Sequence, residues 1–126
     1  MKRKTTAFIA GAALALGIGS TANAGLHTMI PVQINDPAMV ANGDVGFVHN
    51  TPDAIQFIFC DSQGSTAFCQ ARNLAGLVRS CSTANPAHLA AIHAIGTDSH
   101  VVFRWNAAGQ CTSISVRNGS LTVPKT

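Results

Sequence analysis

Short runs in which apolar and polar residues alternate recur after residue 30 and predict β-strands rather than long helices. Residues 32–35 indicate a short edge strand, and residues 45–50 predict a second strand. Residues 54–61 carry apolar side chains on both faces of a strand, which predicts a central strand covered on both sides. The Thr-Pro-Asp turn at residues 51–53 would join these last two strands into a hairpin.

Two segments are less regular. Asp36-Pro37 favours one helical turn through Val40, ended by Asn42-Gly43. Residues 67–78 carry apolar side chains at intervals of three and four, as on one face of a helix, yet residues 74–78 also suit a short strand. We expect a strand in the second half of this segment.

One helix is predicted after residue 84. Asn85 is a preferred N-cap residue type, and Pro86 suits the first helical position. Leu89 and Ile92 share a helical face, and glycine at position 96 is a typical residue at the C-terminal end of a helix. The pattern therefore predicts a helix of two to three turns.

A hairpin over residues 101–116 is the best-defined unit. Two alternating runs flank residues 106–109, where Gly109 can take a left-handed conformation. A four-residue loop places Phe103 opposite Thr112 and gathers the apolar residues on one face. A three-residue loop with a bulge would shift the pairing by one and divide them, so we expect the first arrangement.

These elements together predict a mainly β fold, a small antiparallel β-sandwich or open barrel with one short α-helix and two disulfides. The chain of 126 residues leaves room for one domain. The side chains expected in its interior are Phe47, Phe57, Phe59, Phe103 and Ile114.

Residues 1–24 match a cleaved secretory signal peptide. A basic head precedes an apolar stretch at residues 7–19, and alanines at 22 and 24 form the arrangement that signal peptidase requires. The stretch is too short to span a membrane, which takes about 20 apolar residues. We therefore predict a single domain of residues 25–126 that is periplasmic or extracellular, with no membrane insertion after cleavage.

The charge of the predicted mature domain is balanced. Five Arg or Lys residues and five Asp residues remain after residue 24, and the chain contains no Glu. A dispersed, near-neutral set of charges does not form the basic patch that is typical of nucleic-acid binding. With no cofactor fingerprint in the sequence, the expected partner is an unknown protein or small molecule, without nucleic acid and without a cofactor.

The four cysteines, Cys60, Cys69, Cys81 and Cys111, predict two disulfides. An even number in a small exported domain is typical of a disulfide framework. None of the intervening segments has the two-residue length found in zinc ribbons and thioredoxin-like sites. Three pairings are possible, and we favour a local Cys60–Cys69 bridge with a longer Cys81–Cys111 bridge.

Three residues form a candidate metal site, namely His93, Asp98 and His100. They would meet if the chain folds back after Gly96, and imidazole with carboxylate suits copper or zinc. Their spacing matches no known metal-binding motif, so surface or structural histidines are the commoner explanation.

No catalytic frame is recognisable in the sequence. Ser99 and His100 are suitable residue types for nucleophilic catalysis, but neighbours on a strand point to opposite faces. A G-x-S-x-G motif is absent as well. We therefore expect no enzymatic activity.

Arg79 is a candidate binding residue. If residues 77–81 form an exposed loop braced by a disulfide, Arg79 could be offered to a trypsin-like protease, although an ordinary surface arginine is commoner. The chain has no Tyr, which disfavours a carbohydrate platform. The leading hypothesis is an exported, non-catalytic binding protein of unknown ligand. The alternatives are a small periplasmic copper- or zinc-binding protein and a protease inhibitor.

Overall fold

The computed structural model describes residues 25–122, which form two antiparallel sheets and two short helices. The elements in chain order are β1 (Gln33–Asn35), β2 (Val40–Asp44), α1 (Val45–His49), β3 (Phe57–Gln63), β4 (Thr66–Arg72), β5 (Val78–Thr83), α2 (Pro86–His93), β6 (Ser99–Trp105) and β7 (Cys111–Asn118). One sheet has the order β1-β2-β6-β7 and the other β3-β4-β5. The prediction of a mainly β, antiparallel fold is confirmed.

A single core lies between the inner faces of the two sheets. Val101 and Phe103 of β6 enter it from one side, and Ile58 of β3 and Ala71 of β4 enter it from the other. Phe103 is fully buried, as predicted, whereas Phe47 and Ile114 are half-buried. The predictions for Phe57 and Phe59 are wrong, because both side chains lie on the outer face of their sheet, opposite to the buried Ile58.

Both predicted disulfides are present. Cys60–Cys69 joins the neighbouring strands β3 and β4, and Cys81–Cys111 joins β5 of one sheet to β7 of the other. Cys69 lies opposite Cys60 on one side and opposite Cys81 on the other, so three of the four cysteines form a row across the smaller sheet. The second disulfide therefore ties the two sheets together across the core.

The chain from residue 36 to residue 50 departs from the prediction. Residues 36–39 form a turn in which Asp36 O accepts from Met39 N, and β2 then begins at Val40, where a helical turn was expected. Residues 45–49 form the one-turn helix α1 instead of a strand. Side chains end this helix, since Asn50 Nδ2 donates to Gly46 O at 2.8 Å and Thr51 Oγ1 donates to Val48 O at 2.9 Å.

The position of β3 also differs. It is an edge strand with β4 as its only neighbour, whereas the sequence predicted a central strand. The expected hairpin at residues 51–53 is absent, because Asp53 Oδ1 accepts from the backbone N–H groups of Ile55 and Gln56 and so forms a local turn before β3. The strand expected in the second half of residues 67–78 is also misplaced. The first half of this segment belongs to β4, and residues 73–77 form a turn with Gly76 at φ 87°.

The predicted helix and final hairpin are present. In α2, Asn85 Oδ1 accepts from Ala87 N at 2.9 Å, which is the expected N-cap bond. In the hairpin, Phe103 pairs with Ile114 rather than with Thr112, and a bulge lies between Arg104 and Trp105. Up to Arg104 the register differs from the prediction by two residues, so the apolar side chains there still share one face, and at Trp105, which pairs with Cys111, it differs by one.

The predicted signal peptide lies outside the described residues. Neither helix within residues 25–122 has the length and apolar character needed to cross a membrane.

Candidate binding face

The three candidate metal ligands do not form a site. His100 Nδ1 lies 2.6 Å from a carboxylate oxygen of Asp44, and His93 Nε2 lies 3.4 Å from Ser62 Oγ on β3. Across residues 25–122, no group of three or more His, Cys, Asp or Glu side chains is placed to hold a metal ion. The fold-back after Gly96 therefore does not bring His93, Asp98 and His100 together.

Arg79 lies within β5, not on the exposed loop that the sequence suggested. Its guanidinium donates twice to the Asp36 carboxylate, from Nε at 2.8 Å and from Nη2 at 2.6 Å. The hydrogen bond from Arg79 lowers the pKa of Asp36, and the same contact raises the pKa of Arg79. The bidentate pair connects β5 to the turn between β1 and β2, so Arg79 already has a partner within the fold.

The buried pair of Asp44 and His100 is a feature that sequence reasoning missed. The side chain of Asp44 is only 1% exposed, and its Oδ2 accepts from Thr28 Oγ1 at 2.7 Å and from Ile30 N at 3.0 Å. Burial alone would raise the pKa of Asp44, but the hydrogen bonds from Thr28, Ile30 and His100 outweigh it and the pKa is lowered.

A carboxylate bonded to an imidazole is also part of a nucleophile-activating triad. Ser99 does not complete such a triad, because its hydroxyl is bonded to Asn118 Oδ1 and to Gly96 N. No hydroxyl or thiol is bonded to the imidazole of His100 in the described part of the chain. The pair instead anchors the segment that precedes β1.

The outer face of the smaller sheet carries a cluster of aromatic side chains. The side chains of Phe57 and Phe59 lie on the outer face of β3, and the side chain of Phe68 lies on the outer face of β4. The ring centroids of Phe57 and Phe59 are 5.7 Å apart, and those of Phe59 and Phe68 are also 5.7 Å apart. Phe59, at the centre of the cluster, is 40% exposed.

Other exposed apolar side chains border this cluster. Val78 of β5 pairs with Arg72, which in turn pairs with Phe57, so Val78 continues the cluster onto the third strand. Ile55 precedes β3, and Leu74 follows β4 at 59% exposure, at the same end of the sheet. We call the outward side chains Phe57, Phe59, Phe68 and Val78 the aromatic face. Exposed apolar side chains gathered in this way mark interaction sites more often than isolated ones do.

The edge of β3 next to the aromatic face is unpaired. A two-residue turn with Gly64 at φ 65° joins β3 to β4, so Gln63 and Thr66 form the first hydrogen-bonded pair. Alternation along an antiparallel pair then directs the backbone N–H and C=O groups of Ile58, Cys60 and Ser62 away from β4. Within residues 25–122 no other segment forms a backbone hydrogen bond to these groups.

The sequence contained one signal for this arrangement. The side chains of Cys60 and Ile58 lie on the same face of β3, and the disulfide directs that face toward the core. The phenylalanines at 57 and 59 therefore have to face outward. The fold and this face define a small disulfide-bonded β-protein with an exposed aromatic surface beside a free strand edge.

Comparison with protein-family models, with curated proteins and with solved structures gives no match for this chain.

Proposed function

We propose that this chain is an exported, non-catalytic binding protein that docks an extended segment of another protein along the free edge of β3. The observation that carries the proposal is the aromatic face lying directly beside the unpaired backbone of that strand. The predicted leader and the two disulfides are compatible with export.

The backbone of β3 favours a strand as the occupant. Unpaired N–H and C=O groups at Ile58, Cys60 and Ser62 repeat at the spacing that another extended chain would match. Adding a strand would satisfy these groups and would extend the sheet from three strands to four. Main-chain hydrogen bonds would then supply affinity, and side-chain contacts would supply specificity.

The side chains favour a protein over a carbohydrate. The rings of Phe57 and Phe59 are tilted by 43° to each other, and those of Phe59 and Phe68 by 81°. They therefore do not form a flat platform on which sugar rings could stack in succession. Their uneven surface suits apolar side chains that insert between them.

Charged groups at the two ends of the face favour one orientation of the occupant. Arg72 lies opposite Phe57 at one end, and its Nε is buried without a hydrogen-bond partner. Asp61 lies opposite Phe68 at the other end. We expect a partner segment with apolar residues at alternate positions, an acidic residue near Arg72 and a basic residue near Asp61.

Selection from a random peptide library tests the proposal. The oxidised chain of residues 25–126 is used as bait, and a selected peptide is then titrated while backbone amide signals are followed by NMR. We expect the largest shifts at Ile58, Cys60 and Ser62, and at least about tenfold weaker binding by Phe59→Ser, because an aromatic anchor at an interface centre typically contributes more than about 1.4 kcal/mol.

Leu121→Ser is the matched control, because Leu121 is a similarly exposed apolar residue outside the smaller sheet, at 36%. It should bind the selected peptide as the unaltered chain does. Equal binding by Phe59→Ser, or shifts confined to the larger sheet, would overturn the proposal. A dimer in solution that Phe59→Ser dissociates would also overturn it, because the occupant would then be a second copy of this chain.

A further inference from the structure

We infer a second binding site, for a neutral acetylated amino sugar, in a cleft at the opposite end of the smaller sheet from Phe57. The cleft has a volume of about 430 Å³ and lies between the end of β5, the start of α2 and the turn that joins β6 to β7. This volume is within the range of small-molecule sites in proteins. The polar side chains that line it are Thr66, Ser82, Thr83, Asn85, His88 and Gln110.

The walls of the cleft are held together by covalent and backbone bonds. The Cys81–Cys111 disulfide joins β5 to β7 directly beside it. Ser82 N donates to Gly109 O at 3.0 Å, and a parallel bridge pairs Ser82 with Gln110. A site fixed in this way loses little freedom when a ligand binds, which favours affinity for a small molecule.

A short hydrogen-bond chain fixes the position of the His88 ring. The hydroxyl oxygen of Thr83 accepts from Asn85 N at 3.1 Å and lies 2.7 Å from His88 Nδ1. Because Nδ1 is engaged by Thr83, Nε2 is the ring nitrogen of His88 without a partner among the described residues.

Two amide groups provide donors at the cleft. Asn85 Oδ1 caps α2 by accepting from Ala87 N, so the Nδ2 group of Asn85 remains unbonded within the described chain. Gln110 Oε1 accepts from Asn106 Nδ2 at 3.2 Å, and the Nε2 group of Gln110 has no hydrogen-bond partner among the described residues. The cleft therefore presents amide donors from Asn85 and Gln110, beside a ring nitrogen of His88. The N-terminus of α2 is not itself a binding group, because Asn85 already caps it.

The lining indicates the class of ligand. The amide donors favour a neutral acceptor such as a carbonyl oxygen. Most of the accessible lining is apolar, and the methyl group of Ala84 is part of it. A smaller cleft of about 180 Å³ shares Thr66 and Ser82 and adds Asp61 and Gln63, which can bind hydroxyl groups. An acetamido sugar has a carbonyl acceptor, a methyl group and several hydroxyls, and it meets all these features.

Titration with N,N′-diacetylchitobiose tests the inference on the oxidised chain of residues 25–126, with side-chain amide signals followed by NMR. We expect a dissociation constant of about 1 mM or tighter and shifts of the Asn85 and Gln110 amide signals. Asn85→Asp keeps an oxygen that caps α2 but removes the Nδ2 donor, and it should weaken binding about tenfold. Cellobiose, which lacks the acetamido group, should bind at least about tenfold more weakly.

Asn73→Asp is the matched control, since Asn73 Oδ1 caps a turn at Leu77 N outside the cleft. It should bind the disaccharide normally. Phe59→Ser should also bind it normally, because Phe59 lines neither cleft, although the smaller cleft shares Asp61 and Phe68 with the docking face. No shifts at about 10 mM disaccharide would overturn the inference. Unchanged affinity in Asn85→Asp, equal affinity for cellobiose, or displacement of the disaccharide by sodium sulfate would overturn it as well.

Discussion

Asp44 and His100 lie directly opposite each other on β2 and β6, and the imidazole Nδ1 of His100 is 2.6 Å from the carboxylate of Asp44. The same carboxylate binds Thr28 and Ile30, which precede β1. One buried acidic side chain therefore holds the N-terminal segment against the larger sheet. Loss of a donor to a buried carboxylate is destabilising, because the charge is then left less well compensated.

Substitution of Asp44 should reduce stability strongly. Asp44→Ala removes hydrogen bonds to Thr28, Ile30 and His100, and we expect the free energy of unfolding to fall by about 3 kcal/mol. Urea unfolding of the oxidised protein, followed by tryptophan fluorescence, measures this change. Asp98→Ala is the control and should lie within about 0.5 kcal/mol of the unaltered chain, because no hydrogen bond to the Asp98 side chain exists in the described structure.

The stability of the protein should decrease in acid. The folded pKa of Asp44 is below its ordinary value of 3.8, so the ionised carboxylate stabilises the fold above that value and the contribution is lost as the pH falls through the folded pKa. Asp36 and Asp53 are shifted in the same direction. Unfolding free energies measured between about pH 2 and pH 6 should decline toward low pH, and Asp44→Asn should show a smaller decline. An equal decline in Asp44→Asn would assign the effect to other carboxyl groups.

The two disulfides should contribute unequally. Cys81–Cys111 closes a separation of 30 residues and Cys60–Cys69 closes one of 9. Chain entropy predicts a loss of about 3.5 kcal/mol for the Cys81→Ala, Cys111→Ala double variant and about 2.5 kcal/mol for Cys60→Ala, Cys69→Ala. Thermal unfolding of the two double variants shows directly which variant is less stable. A larger loss from the shorter loop would show that packing around the cysteines, rather than chain entropy, dominates.

Two glycines should respond oppositely to alanine. A Cβ at Gly43 would meet its nearest neighbours at ordinary contact distances of 3.5–3.6 Å, so Gly43→Ala should be neutral or stabilising by up to about 1 kcal/mol. Gly109 has φ 78° and open space around it, so Gly109→Ala should cost about 1 kcal/mol through backbone conformation alone. Unfolding curves of both variants, recorded under identical conditions, check the difference in sign.

Local sequence patterns were sufficient for part of this fold. The N-cap at Asn85 and the alternation around Phe103 are determined by neighbouring residues. They gave α2 and the two strands of the last hairpin correctly, but not the register between those strands. Both features depend on short-range geometry, which a sequence displays directly. The favoured cysteine pairing, one of three possible pairings, is the one present, although spacing alone did not determine it.

Other features were not visible in the alternation of residues, and most of them depend on contacts between distant residues. Residues 45–49 alternate like a strand, yet they form α1, which the side chains of Asn50 and Thr51 end by bonding to its carbonyl groups. Nothing near Asp44 indicates that its partner lies 56 residues further on. The aromatic pattern at Phe57 and Phe59 was visible, but its outward direction depends on which parity the Cys60 disulfide draws inward.

The row formed by Cys60, Cys69 and Cys81 has a consequence for biosynthesis. A nascent chain that has completed the smaller sheet, but not yet β7, holds three sulfurs side by side, and the middle one has a neighbour on each flank. Strand register distinguishes those neighbours, because Cys60 and Cys69 form the closer, non-hydrogen-bonded kind of pair, whereas Cys69 and Cys81 form a hydrogen-bonded pair. The growing sheet therefore favours the Cys60–Cys69 bridge and leaves Cys81 available for Cys111, whose strand is made last.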